Sequence, residues 1–110
     1  MREFANRPGR AEIELRVDVK VADEFFATTS KNIGTGGLFL ATDRRLQVGD
    51  RVELELTLPH HLQPMSVAAE VRWTRQGDGG PEPGVGLRFV NLPLGATIGI
   101  HELLRNVRSR

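Results

Sequence analysis

The sequence has no cysteine, no tyrosine and only one tryptophan. Without cysteine there are no disulfides and no thiolate metal sites, which fits a reducing cytosol. With one Trp and five Phe, the chain has few platforms on which single-stranded bases could stack. A formal net charge of +1 gives no broad positive field, so neither DNA nor RNA is expected as a partner. No apolar run approaches the roughly 20 residues needed to cross a bilayer, and the opening MREFANRPGR holds no apolar signal segment. The expectation is a cytoplasmic protein without membrane insertion. The serines stand at 30, 66 and 109, none in a nucleophile elbow, so no catalytic residues and no enzyme are expected. His60 and His61 are neighbours whose side chains diverge, and His101 lies far along the chain. No metal site is expected from them.

The 110 residues suit one domain, read as residues 1–110. Residues 1–10 form an arm that is expected to be flexible and carries Arg2, Arg7 and Arg10 around a Pro-Gly pair. Residues 11–92 read as strands, and residues 94–108 as a C-terminal helix. AEIELRVDVKVA alternates with Ile13, Leu15, Val17, Val19 and Val21 on one face, the period of a strand with one buried side. EFFATTSKNI suits a second strand and GLFLAT a third. LQVGD makes a turn around Gly49, and RVELELTLP turns Val52, Leu54, Leu56 and Leu58 inward. MSVAAEVRWT places Met65, Val67, Ala69, Val71 and Trp73 on one face, so Trp73 is expected in the core, with a stacking surface for a base as the alternative. VGLRFV is the sixth strand. LPLGATIGIHELLRNV then places Ile98, His101 or Glu102, Leu104 and Arg105 at helical spacing after Pro93. Asp43, Arg44 and Arg45 read as a charged turn in solvent, and Arg72 and Arg88 as outward strand positions. The fold class is all-β with a C-terminal helix, built as a six-stranded antiparallel barrel.

SKNIGTGGLFL concentrates Gly34, Gly36 and Gly37 before a strand. Such a run can be a tight corner that needs positive φ. It can also leave backbone N–H groups bare for an anion or a flat ring. It is not a P-loop, because no Gly-Lys-Ser/Thr follows and the next element is a strand. If the first strand neighbours the second, the arm and the glycines share one end of the barrel. Arg7 and Arg10 then stand over a glycine floor, and arginine pairs with guanine O6 and N7 or clamps a phosphate.

From about Arg7 to Val107 the sequence resembles the PilZ domain, the bacterial receptor module for cyclic di-GMP, and is most similar to the branch expanded in myxobacteria and their relatives. That family joins an Arg-x-x-x-Arg arm to a strand, then [Asp/Asn]-x-Ser-x-x-Gly, the rest of a six-stranded barrel and a helix. NIGTGG matches at Asn32 and Gly37. GGLFLAT, VGDRVELELTLP, AAEVRWT and GVGLRFVNL resemble the later strands in order and spacing. There are two departures. The family's Ser falls on Gly34, with Thr35 next to it. The arm's second Arg aligns with Arg10, while its first falls on Asn6, one residue before Arg7.

The resemblance implies that Arg7 and Arg10 hold guanine and phosphate, and that Asn32 bonds a guanine edge. Gly34, Thr35, Gly36 and Gly37 would bring the backbone close to the ligand. It implies cyclic di-GMP as ligand, no cofactor, and an unidentified protein partner that reads the bound state. The altered motif leaves a second expectation open, a degenerate PilZ-like adaptor that binds its partner without cyclic di-GMP.

Overall fold

The computed structural model describes residues 10–11, 14–59, 61–76 and 82–108. Ile13, one of the expected core residues, lies outside them, as do Arg7 and His60. Among the described residues eight strands and one helix follow in chain order: β1 (Arg10–Ala11), β2 (Leu15–Val21), β3 (Glu24–Ser30), β4 (Asn32–Gly34), β5 (Gly37–Ala41), β6 (Arg51–Thr57), β7 (Met65–Arg75), β8 (Gly84–Asn91) and α1 (Leu94–Arg108). All neighbouring strands pair antiparallel in one sheet of order β1-β4-β5-β8-β7-β6-β2-β3. The sheet curls until β3 lies beside β5, where the Thr28 hydroxyl donates to the Ala41 carbonyl. The result is a split barrel with a C-terminal helix. No described helix is long and apolar enough to cross a membrane.

The sequence suggests six strands, and two short ones are added. β1 is a two-residue ladder on β4. The stretch read as one strand, EFFATTSKNI, breaks at Lys31 into β3 and β4. The break carries the chain between opposite ends of the sheet, because β3 pairs with β2 and β4 with β5. Ser30 makes this corner from inside: it is buried, and its hydroxyl reaches over Lys31 to the Asn32 carbonyl at 3.4 Å.

The alternating stretches bury the faces their period two predicts. Leu15, Val17 and Val19 on β2 meet Val52, Leu54 and Leu56 on β6, all buried. Each such side chain contributes about 1.5–3 kcal/mol by leaving water. Val67, Ala69 and Val71 continue the core through β7, and Val85, Leu87 and Phe89 through β8. In α1 the Pro93 carbonyl accepts the first helical bond from the Thr97 N–H at 2.9 Å. The buried helix face is Ala96, Ile100, Leu103 and Leu104. Of the residues read at helical spacing, Leu104 is on this face, whereas Ile98 is 49% exposed, because a helix of 3.6 residues per turn that buries 96, 100, 103 and 104 turns position 98 to the far side.

The turn at Gly49 is as expected. Its φ of 98° lies where side chains are rarely tolerated. The turn is tied by the Gly49 N–H to the Val71 carbonyl at 2.8 Å and by the Gln47 N–H to an Asp50 carboxylate oxygen at 2.9 Å. Replacing Gly49 with alanine is expected to lower stability by about 1–2 kcal/mol through backbone strain alone, since nothing lies within 4 Å of an added Cβ. Urea melts of the two proteins measure this directly.

Trp73 departs from its expected place. The register between β7 and β8 runs Val71 to Leu87 and then Trp73 to Gly86, so Arg72 is an extra residue on β7. A bulge of this kind resets which face the following side chains take. Val71 stays buried while Trp73 turns outward, 48% exposed.

Candidate functional site

The outer face of β4, β5, β8 and β7 gathers the unusual residues of the sequence in cross-strand rows. Asn32 stands opposite Phe39, Phe39 opposite Gly86, and Gly86 opposite Trp73. One row along β8, Gly37 stands opposite Arg88, Arg88 opposite Glu70, and Glu70 opposite Arg51. On the other side, Ala41, Gly84 and Arg75 make a third row.

The glycines of β8 make room for rings. A Cβ on Gly86 would sit 2.2 Å from Trp73 Cε2, and one on Gly84 would sit 2.2 Å from Phe39 Cζ. The two aromatic rings therefore lie down on bare β8 backbone. They stack on each other with centroids 5.6 Å apart and planes 23° from parallel, within the range of favourable aromatic pairs. The Arg75 guanidinium lies over the Phe39 ring, 4.5 Å from its centroid, and its Nε–H donates to the Glu82 carbonyl at 2.9 Å. Beside this platform, Arg88 pairs with Glu70 at 3.1 Å. Both side chains are accessible, so the pair adds little to stability and leaves Arg88 available to another anion.

The glycine stretch is a hairpin at the edge of this platform. Gly34 ends β4, Thr35 and Gly36 make the exposed turn, and Gly37 begins β5. Neither Gly36 nor Gly37 takes a positive φ, so a left-handed corner does not explain them. Gly37 is explained by close approach: a Cβ there would sit 1.9 Å from the Leu87 carbonyl oxygen. Gly36 has nothing within 4 Å of its Cβ position, and its carbonyl accepts the Phe89 N–H at 2.9 Å. Of the seven residues expected at a ligand, the fold brings six to this edge. Asn32 is half-buried, Gly34 and Gly37 are buried, and Thr35 and Gly36 are open to solvent. Arg10 stands opposite Gly34 in the β1–β4 ladder. Arg7, the seventh, lies outside the described residues.

Sequence reasoning ranks Trp73 as a stacking surface only behind a core position, and does not single out Phe39. The signal present was the GVG of β8, two small residues at alternate positions of a strand, which leave an outer face free to be covered. A cavity of about 460 Å³ opens on the other half of the sheet between Lys20, Phe25, Glu53 and Glu55. Its lining includes Asp18 directly opposite Glu55, an arrangement that repels a phosphodiester. It is not the candidate site.

Solved structures share this architecture. The Bacillus subtilis inhibitor of motility (MotI/DgrA) superposes with a TM-score of 0.78 at 21% identity over 94% of this chain, which spans about half (52%) of that protein. The PilZ domain of Escherichia coli YcgR, solved with c-di-GMP, gives a TM-score of 0.71 at 16% identity over 94% of this chain and 92% of its own. The PilZ domain of CeSA from a cellulose-synthesising bacterium gives 0.62 at 16% identity, over 90% and 97% of the two chains. At these identities the likeness establishes the fold. No curated protein matches the sequence. The sequence profile of the PilZ domain, however, matches residues 2–107, and with nearly the whole chain covered this protein belongs to the PilZ domain family.

Proposed function

We propose that this PilZ domain is a cyclic di-GMP receptor that reports the nucleotide's level to a partner protein. The observation that carries the reading is one shared edge. Arg10 is in register with Gly34, and the open Thr35–Gly36 turn adjoins a row holding Arg88, beside the exposed Trp73–Phe39 stack. A guanine has a flat face for Trp73 and a Hoogsteen edge for arginine, and its phosphodiester suits bare N–H groups and a second guanidinium. In this reading Arg7 and Arg10 take guanine and phosphate, Asn32 takes a guanine edge, and Gly34 to Gly37 supply close backbone. The YcgR domain, which shares the fold, was solved with c-di-GMP. Arm residues ordering over the ligand would create the surface that a partner reads. Nothing in the arrangement supplies a nucleophile and base, so the role is binding rather than catalysis.

The absence of a hydroxyl at Gly34 favours a second reading, an adaptor that engages its partner without nucleotide. A lost hydroxyl bond is worth about 0.5–1.5 kcal/mol, and a bidentate Arg–guanine contact about 1–3 kcal/mol. Together they come to about 1.5–4.5 kcal/mol, about 10- to 2000-fold in affinity, so the arm decides between the readings. Calorimetric titration of cyclic di-GMP, with GTP and GMP as controls, tests this. The expected result is saturable low-micromolar binding, weakened by about 5- to 150-fold in Arg10→Ala. No heat from folded protein at high ligand concentration would leave the adaptor reading.

A further inference from the structure

The platform has a second end. At the Gly84 row, the loop after β5 and the end of β7 enclose a cavity of about 430 Å³ lined by Arg44, Arg45 and Arg75, with Thr42, Gln47 and Gln76 among the other polar groups. It lies four residues along β8 from Arg88, about 13 Å at about 3.3 Å per residue. It is therefore separate from the glycine turn.

Two of the three guanidinium groups are held in place. Arg44 pairs with Glu24 at 2.9 Å and lies over the Phe26 ring, 4.2 Å from its centroid. Its backbone N–H donates to the Thr42 hydroxyl at 3.1 Å, fixing the start of the loop. Arg75 is held between the Phe39 ring and the Glu82 carbonyl. That carbonyl engages only its Nε–H, and the terminal nitrogens of Arg75 have no acceptor among the described residues. Arg45 is exposed and has no ion-pair or hydrogen-bond partner among the described residues. Two carboxylates bear on the charge. Glu24 neutralises Arg44 from outside the cavity, and Asp43 is part of the lining. Glu82 is turned to Lys31, 3.8 Å away. Of the three guanidinium charges Glu24 offsets one and Asp43 a second, so a net positive charge of one remains, presented by Arg45 and Arg75 with hydroxyl and amide groups around them. Arg75, held by its other contacts, loses little freedom when an anion arrives, and guanidinium groups match the geometry of phosphate oxygens.

We infer that this cavity is a second anion site, which takes a phosphate group through Arg45 and Arg75 independently of the glycine turn. Because it does not need cyclic di-GMP, its fate is separable from that of the proposed receptor function.

The test is a titration of inorganic pyrophosphate into the full chain, followed by ¹H–¹⁵N NMR against sodium chloride at equal ionic strength. The expected result is saturable shifts of the Arg75 Nε–H and of the Arg44 and Gly84 amides. Arg45→Ala, an exposed change that leaves the fold intact, is expected to weaken binding by about tenfold, and Arg45→Lys by less. Arg10→Ala is expected to bind pyrophosphate as the unaltered protein does. Shifts that never saturate, an Arg45→Ala titration equal to the unaltered one, or shifts confined to Gly36 and Arg88 would each overturn the site.

Discussion

Gly37→Ala is expected to destabilise the fold by about 3 kcal/mol and to lower Tm by about 10 °C or more. The added Cβ would fall 1.9 Å from the Leu87 carbonyl oxygen and 3.1 Å from Arg88 Cα. Both are backbone atoms of the adjacent β8, and no side-chain rotation relieves the clash. β5 must move off β8, and the ladder from Gly37–Arg88 to Ala41–Gly84 loosens with it. Gly36→Ala is the matched control. It adds the same methyl one residue earlier into open space, and is expected to shift stability by no more than about 0.5 kcal/mol. Thermal melts of the two variants separate the roles of the adjacent glycines. Equal melting temperatures would show that the strands part freely at Gly37. The final glycine of NIGTGG would then be needed at a ligand rather than in the barrel.

The second large effect falls on Trp73. Were it a core residue, as strand alternation suggests, truncation to alanine would cost about 3–5 kcal/mol. It is half-exposed over Gly86 and touches Phe39 on the outer face. Trp73→Ala is therefore expected to cost about 1–1.5 kcal/mol, chiefly the aromatic pair. If a guanine stacks there, the same change is expected to weaken cyclic di-GMP by about 5- to 150-fold, from about 1–3 kcal/mol of base stacking. Urea melts and calorimetry on one preparation read both. Trp73→Phe, which keeps a flat face, is expected to recover part of the binding. Unchanged affinity in Trp73→Ala would remove the platform from the site and leave the arm and the turn to hold the ligand alone.

Local pattern was enough for much of this protein. The alternation of β2 and β6 predicted which residues are buried, because a strand's period of two is a property of the backbone itself. Gly49 marked its turn for the same kind of reason, a backbone angle that other residues resist. The arm and the NIGTGG motif carried the family resemblance, and the register of β1 on β4 sets Arg10 opposite Gly34.

Three features were decided only by tertiary structure. The break at Lys31 depends on β4 finding β1, and its hairpin partner β5 finding β8, at the far end of the sheet, long-range pairings with no local signature. The outward turn of Trp73 depends on one extra residue, Arg72, in a ladder with β8. Counting along β7 alone cannot reveal a bulge that exists only between two strands. The Arg44, Arg45 and Arg75 cavity joins a loop to a strand end some thirty residues away. Periodicity determines which way a side chain points within its own element. Which elements lie side by side is determined by burial summed over the whole barrel, and the candidate sites of this protein lie where those elements meet.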